Sequence, residues 1–304
     1  MNIVFMGSPD FAIPSLEKLH SSSHTIKAVV SNIDKRRGRG SAIAPTPVKS
    51  KAIELGLPVT EVEDLKSDEF ANQLKALNAD LFVVVAFRIL PKNILEIPNI
   101  GSVNLHASLL PKYRGAAPIH WAVMNGEEET GCTIFFLDEQ VDTGQVIKQE
   151  KILIDDNETM GEVYERLMET GSEVLLSAID EIGDGSYSTA EQNDELATPA
   201  PKIFREDCHI DFHQSARVVH NRIRGLSPFP TAWASLNGEK FNIYKSQLGP
   251  IANIDPGELL IREEKLLVGC SDGTVELLEI QLPGKKKMDT KNFLAGNVLE
   301  GTLL

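Results

Sequence analysis

The chain has 304 residues, which predicts two domains, and its 42% apolar and 24% charged residues are ordinary for a globular protein. No apolar run approaches the roughly 18 residues of a membrane span, and Met1–Gly7 has neither the basic leader nor the cleavage site of a signal peptide. A formal net charge of −14 argues against a nucleic-acid partner unless basic residues are concentrated locally.

Short apolar runs alternate with helical patterns in the first part of the chain. The runs predict strands at Asn2–Met6, Ile26–Val30, Leu81–Ala86, Ser102–His106, Ile134–Leu137 and Val146–Ile154. Helices are predicted at Phe11–His20 and Val48–Leu55, and a third begins at the capping-box pair Thr159 and Glu162 and ends near Gly183. Strands that alternate with helices predict an α/β, mostly parallel, doubly wound sheet.

The composition changes after this region. Residues Gly183–Pro201 carry glycine, proline and polar side chains and predict a linker, and Ser215–Gly225 predicts a helix. Short strands punctuated by glycine and proline then predict a small, OB-like β-barrel, at Phe241–Lys245, Glu258–Arg262, Leu266–Gly269 and Val275–Gln281. We therefore predict an N-terminal domain at residues 1–185, a linker at 186–204 and a β-barrel domain at 205–304.

The three cysteines, Cys132, Cys208 and Cys270, are odd in number and far apart. This argues against a disulfide framework and fits a reducing cytoplasm. Cys208 stands near a His-x-x-x-His pair, His209 and His213, which could ligate a metal. No second cysteine lies close and an ordinary amphipathic helix follows, so we expect no metal site.

The turn after the first strand, Gly7-Ser8-Pro9-Asp10, lies where a nucleotide-binding glycine loop would be expected. It lacks the second and third glycines of G-x-G-x-x-G, and Pro9 removes a backbone donor. We therefore exclude a dinucleotide site at this turn. The sequence has no P-loop pattern either.

Three polar residues follow predicted strands. Asn104 and His106 are two apart in one strand and therefore project from the same face, at the carboxyl end where open α/β sheets bind ligands. Asp142 lies in the turn-rich segment Asp138–Gly144. Spacing alone also allows Asn104 and His106 to satisfy backbone groups, and Asp142 to form an Asx-turn.

Four short motifs in order decide between these interpretations. Asn-x-His, Ser-Leu-Leu-Pro at 108–111, Tyr-Arg-Gly-Ala-Ala-Pro at 113–118 and Val-Asp-Thr-Gly at 141–144 resemble the catalytic set of folate-dependent formyltransferases. The resemblance implies a parallel α/β sheet in the N-terminal domain. It also implies that Asn104, His106 and Asp142 are catalytic and that 10-formyltetrahydrofolate is the formyl donor.

This trio suits formyl transfer chemically. When an amine attacks a formyl carbon, negative charge builds on the formyl oxygen, where the Asn104 amide can donate a hydrogen bond. An imidazole titrates near neutral pH, so His106 can relay a proton from the amine to the departing nitrogen. Asp142 would orient His106 and stabilise its charged form. The reaction requires no covalent enzyme intermediate and no metal.

The resemblance also predicts a folate pocket. One wall is the segment Ser108, Leu109, Leu110 and Pro111. The other wall is predicted at Phe87, Ile89 and Leu90. Relatives often carry glycine where this chain has Arg88, so the backbone groups that meet the pteridine at this point do not follow from the resemblance.

The second domain points to the acceptor. The segments 227–233, 273–288 and 293–296 resemble the C-terminal part of the methionyl-tRNA formyltransferases. A glycinamide ribonucleotide enzyme would normally end near the linker. The resemblance therefore implies that initiator methionyl-tRNA is the partner, and we expect a cytoplasmic monomer that does not associate with membranes.

Two clusters of basic residues are locally positive although the net charge of the chain is negative. The residues predicted to contact tRNA are Lys35, Arg36, Arg37, Arg39, Lys285, Lys286 and Lys287. The first four belong to a loop that resembles the one reaching the tRNA acceptor end in this family, although Lys35-Arg36 replaces the usual Arg-Pro. On composition alone, both clusters could also be ordinary solvated loops. We expect arginine beside flexible glycines to follow a phosphate backbone.

Three alternatives remain open. A formyltransferase acting on an amino sugar nucleotide would not need the basic loop. A formyltetrahydrofolate hydrolase, in which water replaces the amine, would not need the lysine-rich C-terminal segment. A non-catalytic tRNA-binding protein on the same scaffold would not need the complete set of Asn104, His106 and Asp142.

Overall fold

The computed structural model describes residues 1–37, 42–296, 299 and 301–304. The chain divides into two compact units. The first contains Met1–Gly115, Gly131–Ile152 and Glu165–Pro199, and the second contains Ala116–Thr130, Leu153–Tyr164 and Ala200–Leu304. The domain bounds predicted from the sequence, 1–185 and 205–304, stay a prediction.

Eleven strands lie in the first two thirds of the chain, within the described residues. They are β1 Asn2–Gly7, β2 Thr25–Asn32, β3 Lys35–Arg37, β4 Ala42–Ala44, β5 Val59–Val62, β6 Leu81–Val85, β7 Gly101–His106, β8 Arg114–Gly115, β9 Glu129–Phe136, β10 Val146–Leu153 and β11 Pro199–Ala200. Seven of them form one sheet in the order β10-β9-β7-β6-β1-β2-β5. The pairs from β7 to β5 are parallel and β9 runs antiparallel to β7, so the predicted mostly parallel sheet is confirmed.

Three of the six helices described among these strands begin at a side-chain cap. The six helices are α1 Ile13–His20, α2 Pro47–Glu54, α3 Asp68–Ala76, α4 Lys92–Leu95, α5 Pro118–Met124 and α6 Met160–Asp184. The side chains of Thr46 and Ser67 accept hydrogen bonds from backbone N–H groups in the first turns of α2 and α3. Before α6, the Thr159 N–H donates to Glu162 Oε2 at 2.8 Å and the Glu162 N–H donates to Thr159 Oγ1 at 3.4 Å, which confirms the predicted capping box.

The centre of the parallel sheet is apolar on both faces. All five residues of β6 are buried, as expected for a strand whose sequence is apolar at every position. At the end of β1, a Cβ on Gly7 would lie 3.0 Å from the Val85 carbonyl oxygen, so glycine allows the close approach of β1 to β6. The turn that follows β1 therefore begins where the backbone of Gly7 packs against the backbone of β6.

The remaining elements form a second sheet with two helices. They are α7 Ala216–Gly225, β12 Ala232–Leu236, β13 Glu239–Leu248, β14 Leu259–Arg262, β15 Lys265–Gly269, β16 Thr274–Gln281, β17 Met288–Asp289 and α8 Thr290–Leu294. The sheet order is β12-β13-β16-β15-β14, and neighbouring strands in it are antiparallel. Leu303 bridges Leu236 on one edge strand, and Thr302 bridges Glu258 beside the other, so the end of the chain joins the two edges as a small barrel requires.

The barrel core contains Phe241, Ile243 and Leu266, each fully buried. Alternate residues of β12 and β13 point into this core, which is the burial pattern of a half-covered sheet. Within the part of the chain that the structure describes, none of the helices combines the length and the apolar character needed to cross a membrane.

Candidate active site

Asn104 and His106 lie at the carboxyl end of β7, between β6 and β9. Val84 pairs with Asn104 on one side, and Thr133 pairs with His106 on the other. The two side chains share one face of the strand because they are two residues apart. His106 is buried and Asn104 is half-buried. Within the described residues, the Asn104 carboxamide makes no hydrogen bond, so it is available to a ligand.

The tautomer of His106 follows from its neighbours. Its Nε2 lies 2.8 Å from the carbonyl oxygen of Tyr113. A carbonyl only accepts hydrogen bonds, so Nε2 carries the hydrogen and the lone pair of the neutral ring is at Nδ1. Nδ1 lies 3.7 Å from Asp142 Oδ2, and both side chains are largely removed from water. Protonation of Nδ1 would therefore create an ion pair with Asp142.

The Asp142 carboxylate is held by the backbone. Its Oδ2 accepts a hydrogen bond of 2.8 Å from the Gly115 N–H. Asp142 itself is in the left-handed region, at φ +57°, where residues other than glycine are uncommon. The Asx-turn of this loop belongs to Asp138 instead, whose Oδ1 accepts from the Gln140 N–H at 2.9 Å. Asp142 is therefore free of that turn and directed at His106.

Sequence reasoning missed the residues that fix the predicted folate loop, Ser108–Pro111. Thr133 Oγ1 donates to the Ser108 carbonyl at 2.7 Å and accepts from the Leu110 N–H at 3.1 Å. Gln149 Nε2 donates to both the Leu110 carbonyl, at 2.9 Å, and Thr133 Oγ1, at 2.8 Å. The sequence signal is weak: Thr133 is a polar residue in an otherwise largely apolar strand, whereas Gln149 lies in the polar run 148–151 and does not stand out. A Cβ on Gly131 would lie 2.5 Å from a methyl carbon of Leu109, so glycine leaves room for this loop.

The second predicted folate wall follows β6. Ile89 is 74% exposed, whereas Phe87 is half-buried and Leu90 is buried. The Arg88 guanidinium donates to the carbonyls of Val62 and Glu63, each at 2.8 Å, and lies 5.5 Å from the centre of the Phe87 ring. Burial lowers the pKa of Arg88 from its ordinary value, and its Nε is buried with no hydrogen-bond partner among the described residues.

The first basic cluster is an antiparallel hairpin, β3 with β4, in which Arg36 pairs with Ile43 and Arg37 with Ala42. Arg39 lies outside the described residues. At the base of the hairpin, Lys49 Nζ lies 2.9 Å from each Asp34 carboxylate oxygen and 2.8 Å from Glu61. The hydrogen bonds with Glu61 and then Asp34 raise the pKa of Lys49.

The second basic cluster lies in the barrel unit, between β16 and β17. Lys285 and Lys286 are exposed. Lys287 Nζ lies 3.0 Å from Glu279 and 5.0 Å from the centre of the Tyr244 ring. One of the three lysines is therefore already paired with a carboxylate.

The histidines near Cys208 have separate partners. His209 Nε2 lies 2.9 Å from the Leu304 carbonyl oxygen, and His213 Nδ1 lies 3.0 Å from Asp211. His220 is buried between Ser246 and the Asp156 backbone. Among residues 1–37, 42–296, 299 and 301–304, no three His, Cys, Asp or Glu side chains are grouped to hold a metal.

Two family models match the chain. The model described as formyl transferase matches residues 1–179, and the one described as formyl transferase, C-terminal domain, matches residues 202–298. The chain belongs to the formyl transferase family. The resemblance inferred from the sequence motifs is thereby confirmed, and with it the prediction that the chain is a formyltransferase.

Two full-length relatives share one name. The methionyl-tRNA formyltransferase of Caldanaerobacter subterraneus subsp. tengcongensis is 41% identical over 308 residues, which is 100% of both chains. That of Chlorobium phaeovibrioides is 43% identical, over 100% of this chain and 98% of the relative. Among solved structures, an N-formyltransferase from Helicobacter canadensis has a TM-score of 0.69 at 24% identity, over 90% of this chain and 98% of that one, and shares the fold.

Proposed function

We propose that the chain transfers the formyl group of 10-formyltetrahydrofolate to the methionine amino group of initiator methionyl-tRNA, in the cytoplasm, for translation initiation. The observation that carries the proposal is the approach of His106 Nδ1 to 3.7 Å from Asp142 Oδ2 at the end of β7, beside Asn104. The names of the full-length relatives support methionyl-tRNA as the acceptor.

In this mechanism His106 moves the proton. The Tyr113 carbonyl occupies Nε2–H, so Nδ1 of the neutral ring accepts the proton of the attacking amine. The resulting imidazolium faces the Asp142 carboxylate, whose negative charge stabilises it. His106 can then return the proton to the departing folate nitrogen.

Asn104 acts on the formyl oxygen. Its carboxamide is half-buried and makes no hydrogen bond within the described residues, so no internal bond has to break before it binds a ligand. A fixed amide donor at an oxygen that gains negative charge lowers the barrier by about 2.7–4 kcal/mol. We assign this role to Asn104 because it shares the strand face of His106.

The folate is proposed to bind between Ser108–Pro111 and the wall of Phe87, Ile89 and Leu90. The first segment is fixed by Thr133 and Gln149, as a preorganised pocket wall requires. The second presents the exposed side chain of Ile89, and the Arg88 guanidinium lies over the Phe87 ring while it donates to backbone carbonyls of Val62 and Glu63. Bound there, 10-formyltetrahydrofolate supplies the formyl group, and no metal takes part in the proposal.

The tRNA is proposed to contact Lys35, Arg36, Arg37 and Arg39 with one part of its phosphate backbone, and Lys285, Lys286 and Lys287 with another. Basic side chains on a chain of net charge −14 concentrate the attraction for phosphate at these clusters. In this proposal residues 1–185 catalyse the transfer, and the barrel domain at 205–304 binds tRNA.

The test combines one formyl donor with each of three acceptors, the third of which is water. Purified chain is mixed with 10-formyltetrahydrofolate, labelled in the formyl group, and with methionyl-tRNA, an amino sugar nucleotide or buffer alone. We expect label on methionyl-tRNA, and loss of that transfer with His106→Ala. Label on the amino sugar alone, release of formate alone, or tRNA binding without transfer would each contradict the proposal and identify one of the alternatives.

A further inference from the structure

Gln192, in the segment between α6 and β11, uses its whole side-chain amide in bonds to the loop and strand around Asp142. Its Nε2 donates to the carbonyl oxygens of Asp142, at 3.0 Å, and Gly144, at 2.9 Å. Its Oε1 accepts from Nε and Nη2 of Arg114, at 3.2 and 2.8 Å. A glutamine amide has two donor hydrogens and one acceptor oxygen, and all are engaged here.

The two carbonyls that Gln192 binds flank Thr143, at the turn where the backbone of Asp142 is left-handed. A left-handed conformation is unfavourable for aspartate and persists only where surrounding contacts fix it. The loop also packs closely against the backbone of Phe136, because a Cβ on Gly144 would lie 1.7 Å from the Phe136 carbonyl oxygen. Gln192 therefore fixes the direction in which Asp142 leaves the backbone.

The same side chain also fixes the donor that binds the Asp142 carboxylate. Arg114 donates to Gln192 Oε1 and to Asp194 Oδ1, the latter at 2.7 Å, and it directly precedes Gly115. The Gly115 N–H is the group that donates to Asp142 Oδ2 at 2.8 Å. The Arg114 side chain is only 15% exposed, so water competes weakly for its bonds with Gln192, whereas Asp194 is 78% exposed.

These contacts form a closed ring that runs from Gln192 through Arg114 and Gly115 to Asp142 and back to Gln192. We infer that Gln192 is a positioning residue for formyl transfer, which sets the approach of Asp142 to His106 without touching either substrate. The inference rests on the proposed roles of Asp142 and His106. Loss of the Gln192 bonds would move the carboxylate relative to Nδ1 and weaken its stabilisation of protonated His106.

The first experiment compares two glutamines that connect the same segments. Gln192→Met has a similar length but removes all four bonds. Gln145→Met removes the bond that Gln145 Oε1 accepts from Thr189, and it leaves Asp142 untouched. We expect Gln192→Met to lower kcat on the order of 100-fold, the loss typical of a misplacement of about 1 Å, with KM unchanged for both substrates. Gln145→Met should behave as wild type.

The pH dependence separates positioning from general damage. If Asp142 stabilises protonated His106, the limb of the kcat profile that reports this group should move to lower pH in Gln192→Met. A kcat that falls equally at every pH, or a rise in KM without a fall in kcat, would overturn the inference. Gln192→Glu is a second variant, which keeps the acceptor for Arg114 and loses the donor to the two carbonyls. It should be impaired as well, and wild-type turnover in it would equally overturn the inference.

A double-mutant cycle shows whether Gln192 acts through Asp142. In an Asp142→Asn background, Gln192→Met should cost little further kcat, because residues that act through one another are not additive. Full additivity would overturn the inference. The wild type distinguishes this failure from failure of the proposed function. If wild type transfers no formyl group to methionyl-tRNA, the proposed function fails; if it does and Gln192→Met equals Gln145→Met, only the role of Gln192 fails.

Discussion

Thr133 Oγ1 donates a hydrogen bond of 2.7 Å to the Ser108 carbonyl, and this bond ties β9 to the loop that follows β7. The same oxygen accepts from the Leu110 N–H and from Gln149, so its capacity for hydrogen bonds is used completely. Thr133 is fully buried, and water cannot replace these partners. The Thr133 hydroxyl is therefore central to the shape of the proposed folate wall, together with Gln149, which also binds the Leu110 carbonyl.

Thr133→Val keeps the side-chain volume and removes that hydroxyl. We expect the free energy of unfolding to fall by about 1–3 kcal/mol, because buried polar groups of Ser108 and Leu110 lose their partner. The KM for 10-formyltetrahydrofolate should rise, while the KM for methionyl-tRNA stays the same. Urea unfolding and initial rates measure the two effects, with Thr60→Val on strand β5 as control. An unchanged KM for 10-formyltetrahydrofolate would show that Thr133 does not shape the folate site.

Asn104→Ala and His106→Ala test the chemistry directly. Loss of one oxyanion donor should lower kcat by about 100- to 1000-fold, and loss of a general base by about 100- to 10,000-fold. Folate binding, measured by calorimetry, should persist in both variants, because neither side chain belongs to the proposed pocket walls. Near-normal turnover in either variant would remove that residue from the mechanism.

Gly144→Ala tests how tightly the Asp142 loop is packed. The added Cβ would lie 1.7 Å from the Phe136 carbonyl oxygen, a backbone atom that cannot turn aside as a side chain can. We expect the free energy of unfolding to fall by about 1–3 kcal/mol. We also expect kcat to fall, because the loop must move and carries Asp142 with it. Gly296→Ala is the matched control, because no atom of the described residues lies within 4 Å of the Cβ it adds. Equal activity of the two variants would show that the loop tolerates displacement.

The fold was predictable where the physical signals are local. The fully apolar strand at 81–85, the alternation of strands with helices and the capping box at Thr159 each have a short-range cause. Strand β5 and helix α3 were missed. Strand β5 is a short edge strand with only one buried residue, so its sequence has no apolar run, although Ser67 and the acidic first turn of α3 offered a capping signal.

The site was predictable only in part for the same reason. Spacing places Asn104 and His106 on one face, but no periodicity brings a loop 36 residues beyond His106 back to it, so Asp142 came from the family resemblance. The partners of Asp142 and His106 include a backbone N–H at Gly115 and a backbone carbonyl at Tyr113, which every residue type carries. Such partners leave no compositional trace. The catalytic roles of the trio stay predictions.

The lysines between β16 and β17 should not contribute equally to tRNA binding. Lys286 is exposed, whereas Lys287 lies 3.0 Å from Glu279 and is already partly neutralised. We expect methionyl-tRNA affinity to fall steeply with salt, and Lys286→Ala to reduce the slope of log K against log salt by about 1. Lys287→Ala should reduce it less. Salt-independent binding would contradict the electrostatic proposal, and equal slopes for the two variants would contradict the role of Glu279.

His220 should make the barrel unit less stable in mild acid. It is fully buried; its Nε2 donates to the Asp156 carbonyl at 2.9 Å, and its Nδ1 accepts from the Ser246 hydroxyl at 2.9 Å. The neutral ring is therefore satisfied, and burial lowers the pKa of His220 below its ordinary value, with the nearby charge of Arg224 adding to the effect.

The sign of the pH effect follows from this direction. The unfolded chain binds a proton at His220 near pH about 6.5, whereas the folded chain binds it only at lower pH. The contribution of neutral His220 to the free energy of unfolding is thus complete above pH about 6.5 and falls as the pH drops towards the folded pKa, by at most about 1.4 kcal/mol per pH unit.

Both tryptophans, Trp121 and Trp233, lie in the second compact unit, which contains the barrel, so urea unfolding followed by tryptophan fluorescence reports the unfolding of that unit. His220→Gln should flatten this pH dependence and His213→Gln, whose histidine is exposed, should not. Identical slopes in wild type and His220→Gln would show that another group causes the acid sensitivity.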